Sequence, residues 1–119
     1  MLKPKALGQV LASVCSGGVH TALVMNMEGG LLAFSGPSER DAVLHAAMAT
    51  NAWTVYEKNG TPMRSILVEI ESGAVLTVRV TPSLALCLIS DESIELGILR
   101  QKGFTLAAYL EAPLKQIQA

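Results

Sequence analysis

Charged and aromatic side chains are both scarce in this sequence, and each shortage excludes a class of function. Charged residues make up 16% of the chain and hydrophobic residues 50%, where about 25% charge is usual. The formal net charge is -1, so the broad basic field that nucleic-acid binding needs is missing. Aromatic residues are only 4%, which excludes a stacking platform for single-stranded nucleic acid. We therefore expect no nucleic-acid partner. So little charge favours an apolar surface that meets another protein.

Residues that carry catalysis or bind metals are few and scattered. Cys15 and Cys87 are far apart in the sequence, and neither has a Cys or His beside it at ligand spacing, so we expect two reduced thiols. His20 and His45 have no carboxylate at a spacing that suggests a dyad, and His45 is interpreted as an interface histidine whose hydrogen bonds are satisfied. No phosphate-binding loop or nucleophile elbow occurs in the sequence. The sequence thus predicts a protein that is not an enzyme, with no catalytic residue, no metal site and no cofactor.

The N-terminal segment is apolar, but it is typical neither of a signal peptide nor of a membrane span. Residues 6–27 carry no charge, yet polar residues such as Gln9, Ser13 and His20 interrupt them. Position 2 is Leu rather than Gly, and the sequence does not end in a prenylation box. We therefore expect no lipid signal in this chain, so that any contact with a membrane would be indirect.

Hydrophobic periodicity and turn residues predict eight elements in the order αββαβββα. Helices are expected over residues 2–15, from the N-cap Ser38 to about Lys58, and from the N-cap Ser93 to about Leu110. Strands are expected over residues 21–26, 30–35, 64–70, 74–80 and 84–90. Turns this short require antiparallel strands. The predicted fold class is therefore α+β, with a five-stranded antiparallel sheet, and residues 1–119 are expected to form a single domain.

The middle helix is apolar on two sides, because no charged residue occurs between Asp41 and Glu57. At about 100° per residue, a stripe of small and aromatic side chains lies nearly opposite a stripe of aliphatic ones. The first stripe is Ala42, Ala46, Ala49, Trp53 and Tyr56, and the second is Leu44, Met48 and Val55. A helix on its own sheet needs only one apolar side. The other side is covered either by the terminal helices or by a partner chain, and we favour the partner.

The alanine-rich stripe favours close approach by an equivalent helix of that partner, with Trp53 and Tyr56 as anchors. If the strand at 64–70 lies at the sheet edge, a second chain can extend the sheet there. The predicted partner interface is Ala42, Ala46, Ala49, Trp53, Tyr56, Ile66, Leu67, Val68 and Ile70.

Short strings spread over the chain carry a resemblance to a known family. They include Gly17-Gly18-Val19, the run Leu31-Leu32-Ala33-Phe34-Ser35-Gly36, Ala49-Thr50-Asn51 before Trp53, and Tyr109-Leu110-Glu111 before Pro113. Together with the order αββαβββα, they resemble the roadblock/dynein-light-chain superfamily, and within it the branch of roadblock-type Ragulator subunits. The resemblance implies a sheet with the terminal helices on one face and the middle helix on the other.

The resemblance also implies partners and a location. It implies an adaptor that forms a heterodimer with a second roadblock-fold subunit, joins other Ragulator subunits and recruits Rag GTPases, with MAP kinase pathway kinases as further partners. The implied location is the cytoplasmic face of late endosomes and lysosomes, reached through a lipidated partner, and the implied role is TOR signalling in response to amino acids. The alternatives are a self-associating roadblock regulator, such as a dynein light chain or GTPase regulator, and a small hydrolase or ligand-binding enzyme with an unrecognised pocket.

Overall fold

A computed structural model describes residues 4–58, 60 and 63–117 of the chain. Its elements are α1 (Pro4–Ala12), β1 (Val19–Asn26), β2 (Leu31–Ser35), α2 (Glu39–Glu57), β3 (Ser65–Ile70), β4 (Gly73–Thr81), β5 (Leu84–Ser90) and α3 (Leu96–Ile117). The order matches the predicted one, and every strand pair is antiparallel. The predicted α+β class with a five-stranded antiparallel sheet is confirmed.

The strands lie in the order β2-β1-β5-β4-β3, so β2 and β3 form the two edges of the sheet. Every residue of β5, the central strand, is buried. The turn from β3 into β4 requires Gly73, which has a φ of 156°. A Cβ at this position would lie 1.8 Å from the carbonyl oxygen of Ser90, so only glycine allows β4 to begin this close to the end of β5.

Side chains alternate between the two faces of the sheet and form two separate cores. On one face, Val24, Leu76 and Leu88 pack with α1 and α3. On the other face, Leu23 and Cys87 belong to a smaller core that includes the alanines of α2. The implied arrangement, with terminal helices on one face and the middle helix on the other, is therefore correct.

Ser38 begins α2 as the sequence predicts. Its extended backbone has a φ of -150°, and its hydroxyl accepts a hydrogen bond of 3.2 Å from the backbone N–H of Asp41. Glu39 and Asp41 place carboxylates in the first turn, where they complement the free N–H groups of the helix. These local interactions fix where α2 starts.

The ends of the terminal helices differ from the prediction. Ser93 does not cap α3, because both its hydroxyl and its backbone N–H donate to Asp91 Oδ1, and the helix begins only at Leu96. At the other end, α3 continues through Pro113 to Ile117 rather than ending near Leu110. Leu114 beyond the proline is fully buried. The packing of this turn therefore outweighs the hydrogen bond that Pro113 cannot donate.

The first helix is shorter than the predicted span of 2–15. It ends at Ala12, and the Ser13 hydroxyl donates a 2.6 Å hydrogen bond to the Val10 carbonyl just beyond its last turn. Residues 2 and 3 of the predicted span lie outside the described residues.

Candidate protein-protein interface

The two faces of the sheet are covered unequally. Two helices share the first face, where α1 packs on β2 and β1 and α3 packs on β4 and β5. On the second face α2 lies mainly over β2 and β1, which leaves the end of the sheet formed by β3 without a helix. Val68 and Ile70 of β3 are accordingly 38% and 39% exposed. The second face is therefore only partly covered by its own chain.

The face of α2 that lies on the sheet is the alanine-rich stripe, and this corrects the predicted interface. Ala42 and Ala46 are 0% exposed, and Ala49 and Trp53 are also buried within the chain. These four side chains therefore present almost no surface to a partner. The physical reason is that alanine lets the helix backbone come close to the chain's own sheet, the same property from which we predicted approach by a foreign helix.

The free side of α2 is the aliphatic stripe, which would lie on the home sheet if the alanine-rich stripe met a partner as predicted. Met48 is 63% exposed, and Val55 is 62% exposed. Tyr56 is the one residue of the first stripe that lies on this free side. We call the exposed set the outer face of α2, and it consists of Val43, Leu44, Met48, Val55 and Tyr56. It is an apolar surface without a charged side chain among its members.

The condition set for the strand at 64–70 is met, because it lies at the edge of the sheet as β3. Ile66, Val68 and Ile70 face the side of the sheet that carries α2. Leu67 points the other way and packs against the core beneath the terminal helices. Its side chain therefore does not belong to the predicted interface, although its main chain lies on the edge strand.

A hollow of about 160 Å³ separates α2 from β3. Its wall on the helix is formed by His45, Met48 and Ala52, and its floor by Ile66, Val68 and Ile70. Within the described part of the chain, His45 Nδ1 is buried without a hydrogen-bond partner, so no described residue of this chain satisfies the predicted interface histidine. The hollow joins the outer face of α2 to the edge strand and makes them one continuous apolar surface.

The C-terminal end of α2 is tied to β4 by a cluster of three side chains. The Arg79 guanidinium carbon lies 5.2 Å from the centroid of the buried Trp53 ring. The same guanidinium donates a 2.9 Å hydrogen bond to Glu57 Oε2 in the last turn of the helix. We call these residues the Trp53–Arg79–Glu57 cluster. It lies beside the exposed Val55 and Tyr56.

The two cysteines are free, and Cys87 is fully buried beneath α2. Burial raises the pKa of the Cys87 thiol to about 12, although a hydrogen bond from the Thr77 hydroxyl opposes the shift. A thiol with so high a pKa is not a nucleophile at neutral pH. Across residues 4–58, 60 and 63–117, no cluster of three or more His, Cys, Asp or Glu side chains is placed to hold a metal ion. None of the helices in these ranges is long and apolar enough to cross a membrane.

Comparison with known proteins identifies the class of this chain. The family model of the Roadblock/LC7 domain matches residues 9–90, and the chain belongs to this family. A relative from Caenorhabditis elegans, the Ragulator complex protein LAMTOR2 homolog, is 37% identical over 120 residues, which cover 98% of this chain and 96% of the relative.

Solved structures share the fold at low sequence identity. A Roadblock/LC7 domain from Streptomyces avermitilis superposes with a TM-score of 0.82 at 14% identity, covering 91% of this chain and 97% of that one. MglB from Myxococcus xanthus superposes with a TM-score of 0.81 at 13% identity, covering 98% of this chain and 92% of that one. The order of helices and strands is thus kept while most side chains differ.

Proposed function

We propose that this chain is a non-enzymatic adaptor, a single roadblock domain that pairs with a second roadblock-fold subunit in a Ragulator-like complex. The observation that carries the proposal is the continuous apolar surface formed by the outer face of α2, the hollow and the edge strand β3. An exposed apolar surface of this kind is typical of a protein that works in an assembly. The relative from C. elegans, itself a Ragulator complex protein, supports the choice of assembly.

The mode of pairing follows from what the surface lacks. The end of the sheet at β3 has no helix above Ile66, Val68 and Ile70. An equivalent helix from the second subunit would lie beside α2, cover this floor and bury Met48 and Val55. The second subunit's own edge strand would extend the sheet at β3 through main-chain hydrogen bonds. A contact of this kind is expected to bury a standard area of about 1,600 Å² in total.

The proposed interface keeps part of the set predicted from the sequence. Tyr56, Ile66, Val68 and Ile70 remain in it, and Leu67 takes part through its main chain. Val43, Leu44, Met48 and Val55 replace Ala42, Ala46, Ala49 and Trp53, which support α2 from below.

At the level of the cell, we propose that the pair joins other Ragulator subunits on the cytoplasmic face of late endosomes and lysosomes. There it would recruit Rag GTPases and support TOR and MAP kinase signalling, with attachment to the membrane through a lipidated partner. The support for this level of the proposal is the similarity to the worm relative and the strings quoted from the sequence.

Self-association is the second candidate, because β3 is a free edge strand that could pair antiparallel with the same strand of a second copy. A roadblock regulator that acts as a homodimer would use this contact.

Analytical ultracentrifugation separates the two candidates. The roadblock-fold protein that co-purifies with this chain from its native cells is identified by mass spectrometry, produced pure and mixed with the chain. We expect a 1:1 complex and a chain that is largely monomeric alone. A homodimer that the second subunit does not displace would support self-association instead. A chain that remains monomeric with every roadblock subunit found would contradict both.

A turnover assay with GTP, alone and with a Rag GTPase, tests the non-enzymatic part of the proposal. We expect no hydrolysis by the chain itself. Hydrolysis that follows the purified chain through successive columns would contradict the adaptor assignment.

A further inference from the structure

The two ends of α2 are attached to the sheet in different ways. The first three turns rest on the sheet through Ala42, Ala46 and Ala49. These small side chains allow close approach, but they interlock little with the strands below and resist sliding or rotation weakly. The last turns carry Trp53, one of the largest fully buried side chains of the described residues. The orientation of the helix is therefore decided mainly at its C-terminal end.

Arg79 holds this end from a neighbouring strand. It is a residue of β4, and its side chain reaches α2, where it lies over the Trp53 ring and pairs with Glu57 at 2.9 Å. This is the one ion pair formed between residues that the structure describes. It connects the last turn of α2 to the strand that hydrogen-bonds to β3. Arg79 thus links the helix and the edge strand that together form the proposed interface.

The cluster is poorly suited to stabilising the fold. The Arg79 and Glu57 side chains are 31% and 36% exposed, and ion pairs this exposed contribute little to stability. In the described residues, Arg79 Nε and Trp53 Nε1 are also buried without hydrogen-bond partners, which opposes folding. A geometric role accounts better for the arrangement than a stabilising one.

The geometry of the cluster affects the two residues that precede Glu57 in α2. Val55 and Tyr56 precede Glu57 directly and are both exposed on the outer face. Both side chains belong to the last turns of the helix. A small rotation of these turns about the helix axis would therefore move both of them relative to β3. We propose that Arg79 is a positioning residue for partner pairing. It sets the rotation of the last turn of α2 over β4, and with it the places of Val55 and Tyr56 on the outer face. This inference rests on the proposed function.

A charge swap tests the proposal. The variants are Arg79→Glu, Glu57→Arg and the double swap, and the probe is the purified second roadblock subunit described above. Each single variant should weaken pairing about tenfold, and the double swap should restore it to within about threefold, as expected for two residues that act through each other. Isothermal titration measures the affinity, and urea unfolding of the isolated chain measures stability.

Three outcomes overturn the proposal. If the single variants destabilise the isolated chain while the folded fraction binds with unchanged affinity, Arg79 has a structural role only. If the double swap fails to restore pairing, Arg79 contacts the partner directly rather than acting through Glu57. If the single variants pair as tightly as the unchanged chain, the cluster does not position the helix. Failure of the proposed function is separate, because then the unchanged chain itself does not pair.

Arg100→Glu is the matched control. Arg100 also lies over an aromatic ring, that of Phe104 at 5.7 Å, but on α3 at the opposite face of the sheet. It should leave pairing unchanged. Should the reversed charges prevent folding, Arg79→Lys and Glu57→Gln replace them. Arg79→Lys keeps the charge but loses the planar stack on Trp53, and we expect a loss of about threefold. Unchanged pairing in both conservative variants would equally overturn the proposal.

Discussion

The two faces of the sheet use different means to bury the same five strands. Beneath α1 and α3, long side chains such as Leu11, Leu99 and Leu110 interdigitate, and each is 0% exposed. Beneath α2 the contact is made by alanines, and the floor at β3 is left open. The first face buries these long side chains within the chain, whereas the second leaves its floor at β3 without a helix. A core built from small residues brings a helix close but covers little area.

The two long helices show the same contrast on their outer sides. α3 carries Arg100, Lys102 and Glu111 among its exposed or half-buried positions, as is usual for a helix that faces water. α2 has no charged residue between Asp41 and Glu57 and exposes large aliphatic side chains instead. α3 also exposes Ile98 and Tyr109, so the difference on which our proposed interface rests is the missing charge along α2.

The largest expected effect comes from placing a charge on the inner side of α2. Ala46→Asp puts a carboxylate where no water reaches, at a residue that is 0% exposed, and we expect a loss of about 4 kcal/mol or more in the free energy of unfolding. Urea unfolding followed by circular dichroism measures it. A stable Ala46→Asp chain would show that α2 does not rest on its sheet through the alanines.

The same charge on the outer side should affect pairing and spare the fold. Met48→Asp is expected to weaken binding to the second subunit about hundredfold, while the free energy of unfolding changes by less than about 0.5 kcal/mol. Tyr109→Asp is the control, because Tyr109 is equally exposed, at 64%, on α3. Undiminished pairing of Met48→Asp would remove α2 from the interface.

The two sheet edges offer a further comparison. Val68→Lys on β3 places a charge beside the hollow, and we expect pairing to weaken about tenfold. Leu32→Lys changes a similarly exposed residue on β2, the opposite edge, and should leave pairing intact. Surface plasmon resonance with the second subunit immobilised compares the two. Equal losses would show that the partner does not distinguish the edges.

The smallest expected effect is the pH dependence of stability that is due to Cys87. It tests whether α2 keeps water away from the centre of the sheet. Its pKa is raised from 9.0 to about 12 by burial. The unfolded chain therefore releases this proton near pH 9, and the folded chain retains it. The contribution of Cys87 to stability is complete below pH 9 and falls as pH rises toward 12, by about 1 kcal/mol between pH 9 and 10.

Urea unfolding of the unchanged chain and of Cys87→Ala at a series of pH values isolates this contribution, because other titrating groups affect both chains alike. An identical pH dependence of the two chains would indicate that water reaches the thiol in the folded state.

The sequence was sufficient to predict the helices and strands, but it did not decide which side of α2 lies on the sheet. Local signals such as the Ser38 cap placed α2 correctly, and short turns made the sheet antiparallel. The end of α3 was wrong because it depends on the burial of Leu114, a tertiary contact. Both stripes of α2 are apolar, so periodicity found them but could not decide which lies on the sheet. Side-chain size was the usable signal, since alanines suit the closer contact.

The sheet is complete only after β5, its central strand, has paired with β1. During synthesis, the first hairpin and α2 leave the ribosome well before residues 84–90, which must insert between β1 and β4. Until then α2 can rest only on the hairpin of β1 and β2, so its outer face and the part of its inner side that packs on β5 are open to solvent. The nascent chain is therefore most prone to aggregation in the interval before β5 emerges. Chaperones that recognise exposed aliphatic segments are expected to bind it in that interval.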